Sequence, residues 1–162
     1  MAVTMPLADL ISADRVALDQ NLTSKKSVLE RAAQLLAQGD PSANSRDIFE
    51  ALCQRERMGS TGLGHGVAIP HCRVAHNSVS GAFIRLRQPI GFDSPDAARV
   101  DLFFALAVPT DCSDAHLKLL SSIAELFSEP DRREALREVD GYRQLAALLN
   151  GELNREQRLK GQ

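Results

Sequence analysis

The sequence predicts a single α/β domain in which a mixed central β-sheet is flanked by α-helices. Three observations carry this prediction. Apolar stripes at helical spacing alternate along the chain with runs patterned for strands. One run, Val100–Val108, is nearly all apolar, as expected of a central strand covered on both faces. The 162 residues suffice for one hydrophobic core and contain no internal repeat or low-complexity linker.

The elements follow in order. Leu7–Ile11 and Arg15–Leu18 read as short extended or turn-like pieces. Ser24 is placed to cap a helix from Lys25 to about Gln38, with Val28, Leu29, Ala32 and Leu36 on one face and Gly39 and Pro41 at its end. Ser45 is placed to cap a second helix carrying Ile48, Phe49, Leu52 and Cys53, and Gly59 suits the position just past its end. The segment GSTGLGHG, with Gly59, Gly62, Gly64 and Gly66, reads as a loop of unusual backbone freedom. VAIP is a short β-rich run ending at Pro70-His71. Val79–Arg87 reads as a strand, with Ala82, Ile84 and Leu86 on one side and Phe83, Arg85 and Arg87 on the other. PIGFDSPD is a turn-rich connection to Val100. Ser113 or Asp114 starts a third helix with Leu117, Leu120, Ile123, Ala124 and Phe127 as its buried stripe, and Pro130 marks its end. Two shorter helices are expected at Asp131–Val139 and Gly141–Leu149. The domain is assigned to residues 1–150, and residues 151–162 to a polar, frayed tail.

Composition narrows the function. The net charge is −2 and aromatics are sparse, with one Tyr and no Trp, so neither a basic stripe nor a base-stacking surface is available for nucleic acid. The longest apolar stretch, Leu102–Pro109, is too short to cross a bilayer, and no basic-then-apolar leader opens the chain. Neither membrane insertion nor secretion is expected. Cys53, Cys72 and Cys112 are odd in number and scattered, with no CxxC, which disfavours a disulfide framework and a thiolate zinc site and points to the cytoplasm.

His71 is the residue best suited to chemistry. Neutral imidazole is a good nucleophile near neutral pH, and a phosphoryl group on it is reactive enough to be passed on. Such a site needs no cofactor, only an oriented ring, donors for the phosphoryl oxygens and an open face. His71 follows a strand beside Pro70, and the glycine-rich segment before it can aim backbone N–H groups at an anion. Ser60 and Thr61 add hydroxyls. From the residues alone a second reading stays open, in which the glycines only make a tight turn and His71 is a surface residue. His116, at a helix start, can support His71 or simply sit there; the helix dipole at that point favours phosphate and disfavours imidazolium. Arg55 and Arg57 end the second helix just before the glycines, where a guanidinium can meet phosphate or merely be solvated. Asp111 and Asp114 flank the loop before His116 and are assigned to capping. The glycines fit neither a P-loop nor GxGxxG. His65, His71 and His76 lack the spacing and the carboxylate of a zinc site, so no metal is assigned.

The segment QRERMGSTGLGHGVAIPHCR resembles the enzyme IIA components of the fructose/mannitol type in the bacterial phosphotransferase system. AHLKLLSSIAELF resembles that family's second histidine segment, and TSKKSVLERAAQLLA resembles its nitrogen-regulatory branch. The resemblance implies that His71 accepts a phosphoryl group on Nε2 from an HPr-like phosphocarrier of the nitrogen branch. It implies that His116 is the second active-site histidine, that Arg55 lies near the phosphate, and that regulated target proteins, whose identity the sequence does not give, respond to the phosphorylation state. Phosphate contacts from Ser60, Thr61, Gly62, Gly64 and Gly66 are a further expectation, drawn from the glycine-rich segment and its hydroxyls themselves. The chain departs from the family pattern at Cys72, where Gly is frequent, and at His65, where Asn or another polar residue is common. Competing readings are a sugar-transport IIA that passes phosphate to a IIB cysteine, a protein-binding module with an unused histidine, and, more distantly, a histidine–metal hydrolase.

Overall fold

A computed structural model describes residues 7–38, 40–75, 78–110 and 114–150, the last segment without the side chains of 114–116. A 3₁₀ turn at Leu7–Leu10 and another at Ala13–Arg15 lead into β1 (Val16–Gln20). Then come α1 (Lys25–Leu36), α2 (Ser45–Arg57), β2 (Gly62–Gly64), β3 (Val67–Ala68), β4 (His71–Val74), β5 (Ser80–Ile90) and β6 (Val100–Pro109). The helices α3 (Asp114–Ser128), α4 (Pro130–Glu138) and α5 (Tyr142–Leu149) complete the chain order. The strands form one six-stranded mixed sheet in the order β1-β5-β6-β3-β2, with β4 also on β6. The expected α/β class with a mixed sheet between helices is the observed one. No helix among the described residues is long and apolar enough to cross a membrane.

β6 is the central strand, and its alternation divides the core. Phe103, Ala105 and Ala107 face α1 and α2 together with Ala82, Ile84 and Leu86 of β5. Leu102, Phe104, Leu106 and Val108 face α3, α4 and α5 together with Phe83 and the N-terminal Leu7–Ile11 segment. Small alanines dominate the first face near the sheet centre, which lets α1 and α2 approach closely. Arg85 points into the second face as the alternation requires and is buried. Its cost is offset at the end of α4, where Nη1 donates to the carbonyls of Leu136 (3.1 Å) and Val139 (2.8 Å) while Nη2 pairs with Asp19 at 3.1 Å.

Several local expectations are revised. Ser24 caps α1 with a reciprocal Ser24–Ser27 capping box, and the helix ends at Leu36 with Ala37 as its C-cap. The cap of α2 is Asn44, not Ser45: Asn44 Oδ1 accepts from Arg46 N at 2.9 Å and Asp47 N at 3.2 Å, and Ser45 is the first helical residue. Leu117 is 62% exposed, so the buried stripe of α3 begins lower, with Ile123, Leu126 and Phe127 at its centre. Pro130 opens α4 at its first position, where a missing N–H costs nothing. β5 runs on through Pro89 to Ile90, with a register break after Arg85 that accommodates the proline. Gly39, His76 and the tail from residue 151 lie outside the described residues, as do the proposed caps Asp111 and Ser113.

Candidate phosphoryl-transfer site

The glycine-rich segment is a hairpin, not a loop. β2 runs antiparallel to β3, with Gly62 opposite Ala68 and Gly64 opposite Val67, and His65 and Gly66 make the turn. β3 and β4 are two parts of one extended line. Val67 and Ala68 oppose Leu102 and Phe103 of β6, and His71 and Cys72 oppose Leu106 and Ala107 in the same unbroken register. Ile69-Pro70 interrupts the line because proline has no N–H for the ladder, yet Pro70 still accepts from Leu106 N at 2.9 Å. The last link to β2 is Ile69 N donating to Thr61 O at 3.0 Å. Beyond it, β4 has no outer strand among the described residues. His71 is therefore held by a central strand on one side and opened to its surroundings on the other.

The ring is fixed by its own backbone. Nδ1 lies 2.8 Å from the carbonyl oxygen of Ile69, an acceptor only, so Nδ1 carries the proton and Nε2 presents its lone pair. Arg55 Nε donates to that lone pair at 3.3 Å, and its Nη1 donates to Gly59 O at 2.9 Å. Burial, and secondly the Arg55 charge, hold the imidazole below its ordinary value against the opposing pull of the Ile69 carbonyl and Glu56. His71 is thus a neutral, oriented nucleophile near neutral pH. Cys72 points the other way, into the α1/α2 core, and burial pushes its thiol up to about 12, so it is not a thiolate competitor beside the histidine.

Two clefts of about 330 Å³ each meet at the His71–Arg55 pair. One has Ser60–Leu63 on one wall and Leu120, Ser121 and Ala124 of α3 on the other. The second runs along α2 and β4, with Gln54, Met58 and Arg73. Met58, Leu63 and Leu117 are the exposed large hydrophobic residues among those described, at 83%, 41% and 62% exposure. Two of them border these clefts.

The remaining sequence candidates separate. Gly62 lines the cleft beside His71, whereas Gly64 and Gly66 are not among its lining residues. They turn the hairpin with φ of +93° and +83°. The Ser60 and Thr61 hydroxyls donate within the protein, Ser60 Oγ to Phe92 O at 2.6 Å and Thr61 Oγ1 to the Glu56 carboxylate. Arg57 is exposed at the end of α2. His116 lies in the first turn of α3, and its side chain is outside the described residues. No group of three or more His, Cys, Asp or Glu among the described residues is arranged to hold a metal ion. Sequence reasoning missed Glu56 and Lys25. The only available signal was an acid directly after Arg55 and a lysine at the first position of α1, which ordinarily mark solvated helix ends.

Comparison with known proteins identifies the family. Residues 9–152 match the family profile described as phosphoenolpyruvate-dependent sugar phosphotransferase system, EIIA 2. The chain is 46% identical over 115 residues to a nitrogen regulatory protein of Pseudomonas aeruginosa, covering 70% of this chain and 75% of that one. It is 39% identical over 138 residues to the nitrogen regulatory protein of Bradyrhizobium diazoefficiens, covering 82% and 87% respectively. The crystal structure of nitrogen regulatory protein IIA-Ntr from Neisseria meningitidis superposes with a TM-score of 0.84 at 42% identity, covering 88% of this chain and 98% of that one. IIA mannitol from Escherichia coli shares the fold, with a TM-score of 0.72 at 18% identity over 86% of this chain and 98% of that one. The α/β fold and these relatives together place the chain in the type 2 enzyme IIA family of the phosphotransferase system, within its nitrogen-regulatory branch.

Proposed function

We propose that this protein is a cytoplasmic regulatory phosphocarrier that accepts a phosphoryl group on Nε2 of His71 from an HPr-like phosphocarrier of the nitrogen branch. Its phosphorylation state then controls which partner proteins it binds. The observation that supports the reading is the Ile69 carbonyl on Nδ1, which fixes the proton there and turns the Nε2 lone pair toward Arg55.

In the transfer, the Nε2 lone pair forms the new bond to phosphorus as the donor's phosphorus–nitrogen bond breaks. The donor imidazole departs with that electron pair and is neutral if its other nitrogen carries a proton. The His71 ring keeps its Nδ1 proton, and the Ile69 carbonyl stabilises the positive charge that develops on the ring. Arg55 gives up its hydrogen bond to Nε2 and is left beside the incoming oxygens, where a guanidinium offers charge-assisted contacts. The family resemblance assigns His116 as the second active-site histidine. Exposed Met58 and Leu63 beside the clefts supply apolar contact for a docking carrier. A gain of about two negative charges on this surface alters its partners.

The test is incubation with phosphoenolpyruvate, the upstream enzyme and purified HPr-type carriers, followed by site mapping. Label is expected on His71 and none on His71→Ala; equal labelling of the variant would sink the assignment. Onward transfer to a fructose- or mannitol-type IIB cysteine at rates matching a dedicated transport component would favour a transport role instead.

A further inference from the structure

A buried acid sits directly behind the site and belongs to none of the roles above. Glu56 is 8% exposed, although it neighbours Arg55 at the end of α2. One carboxylate oxygen accepts from Thr61 N at 3.2 Å, and the other accepts from Thr61 Oγ1. Lys25, the first residue of α1, brings Nζ to 3.3 Å from Glu56 Oε1. The same ammonium lies 3.5 Å from Asp93 and 4.6 Å from the centroid of the Phe92 ring.

These contacts close the turn on which Arg55 rests. Helix α2 ends with Met58 N on Arg55 O and Gly59 N on Glu56 O, both at 3.1 Å. Gly59 then leaves the helix with φ +146°, and Thr61 is pulled back onto Glu56. The Gly59 carbonyl is fixed inside this closed turn, and it is the acceptor that holds Arg55 Nη1. With Nη1 anchored there, Arg55 Nε reaches His71 Nε2. The Thr61 carbonyl, in the same turn, receives Ile69 N, two residues before His71. One carboxylate thereby sets both the guanidinium and the strand that carries the histidine. A carboxylate is suited to this because it can accept a backbone N–H, a hydroxyl and an ammonium together, while Lys25 offsets the cost of burying its charge.

We propose that Glu56 is a positioning residue for phosphoryl transfer, holding Arg55 on His71 through the Gly59–Thr61 turn with Lys25 as its counterion. The proposal rests on the phosphocarrier reading above. A guanidinium misplaced by about 1 Å costs on the order of 100-fold in rate, so the clamp governs turnover more than docking.

The test measures steady-state transfer from the HPr-type carrier to Glu56→Ala, Glu56→Gln, Thr61→Val and Thr61→Ser, alongside the titration of the His71 imidazole by NMR. Glu56→Ala is expected to lower kcat by about 10- to 100-fold with KM within about threefold. Glu56→Gln retains an acceptor for Thr61 N and recovers most of the rate. Thr61→Ser keeps the hydroxyl and retains most of the rate that the nearly isosteric Thr61→Val loses. In Glu56→Gln the imidazole titrates at lower pH than in wild type, because a negative charge that favours the imidazolium is gone. A role limited to stability would lower the melting temperature and leave the kcat of the folded protein unmoved; that result would overturn the proposal. If Glu56→Ala does not fold, Thr61→Val decides the matter. Unchanged kcat beside a labelled wild type would overturn the Glu56 role alone, whereas a wild type that takes no label would overturn the phosphocarrier reading and this role with it.

Discussion

The two ends of the Gly62–Val67 hairpin share a composition and do different work. At its root, Ser60–Gly62 forms a wall of the cleft at His71 and is tied to Glu56 and Phe92. At its tip, Gly64, His65 and Gly66 are held by side chains from elsewhere in the chain. His65 N donates to Asp96 Oδ2 at 2.9 Å, and Arg137 of α4 donates to His65 O at 2.9 Å while pairing with Asp101 at 3.0 Å. The root shapes a reactive surface and the tip anchors it to α4 and β6. Glycine is needed at both ends for unrelated reasons: close approach at the root and positive φ at the tip.

The largest expected effect separates the site from its anchor. Arg55→Gln, at the root, should lower the rate of His71 labelling by about 100-fold, the order found when one electrostatic donor is removed from an active site. Its melting temperature should stay near wild type, because Arg55 is only half-buried. A labelling rate within about threefold of wild type would break the assignment of Arg55 to the phosphate.

Gly66→Ala tests the tip. A Cβ there would meet Arg137 and come to 3.0 Å from Asp101 Oδ1, at a φ of +83°. The strain should lower stability by about 1–3 kcal/mol, measured by denaturant unfolding, while the folded protein is still labelled normally. Gly62→Ala should differ in kind. Its Cβ would collide with the Ser94 hydroxyl and reach 3.1 Å from Ser94 Cα, so either the root or the Phe92–Ser94 segment must shift. Loss of labelling rate together with stability is expected there. Equal behaviour of the two glycine variants would erase the distinction between root and tip.

Two smaller effects sharpen it. Ser60→Ala removes the bond to Phe92 O and should cost about 0.5–1.5 kcal/mol of stability with little change in labelling. The pH dependence should be slight near neutrality. Burial and then Arg55 depress the His71 value, so the neutral nucleophile persists as pH falls through about 6.5. Labelling should decline only below that. The matching stability contribution is present above the ordinary imidazole value and is lost as pH falls through the depressed one. In Arg55→Gln the decline should begin at higher pH, because the second depressing cause is gone.

The fold was legible where local pattern and tertiary role agree. The apolar run at Val100–Val108, the alternation through β5 and the Ser24 cap all specify their elements without help from the rest of the chain. Failures fall where partners distant in sequence decide. GSTGLGHG looks like a loop because glycines have no strand propensity; β2 exists because Val67 and Ala68 already lie on β6 and offer it an edge. Leu117 has helical spacing but falls where α3 passes beyond the core. At the candidate site, sequence reasoning singled out His71 after strand and proline and Arg55 at the helix end, and the structure brings the two within 3.3 Å of each other. The use of Glu56 was not legible, since nothing in a sequence tells a buried acid from a solvated one when its partners are a backbone amide, Thr61 and a lysine on another helix.

The hydrogen bond from His71 Nδ1 to Ile69 also has a chemical consequence. Phosphohistidine exists as two isomers that differ in hydrolytic lability and in the reagents that detect them. For a phosphoryl group carried on His71 as proposed above, the selecting group is a main-chain carbonyl, which no side-chain substitution at residue 69 removes. Isomer identity is thus written into the path of the strand through Ile69 and Pro70, where mutation can bend the backbone but cannot delete the acceptor. An isomer-specific probe for the Nε2 form therefore reads out whether this backbone turn is intact.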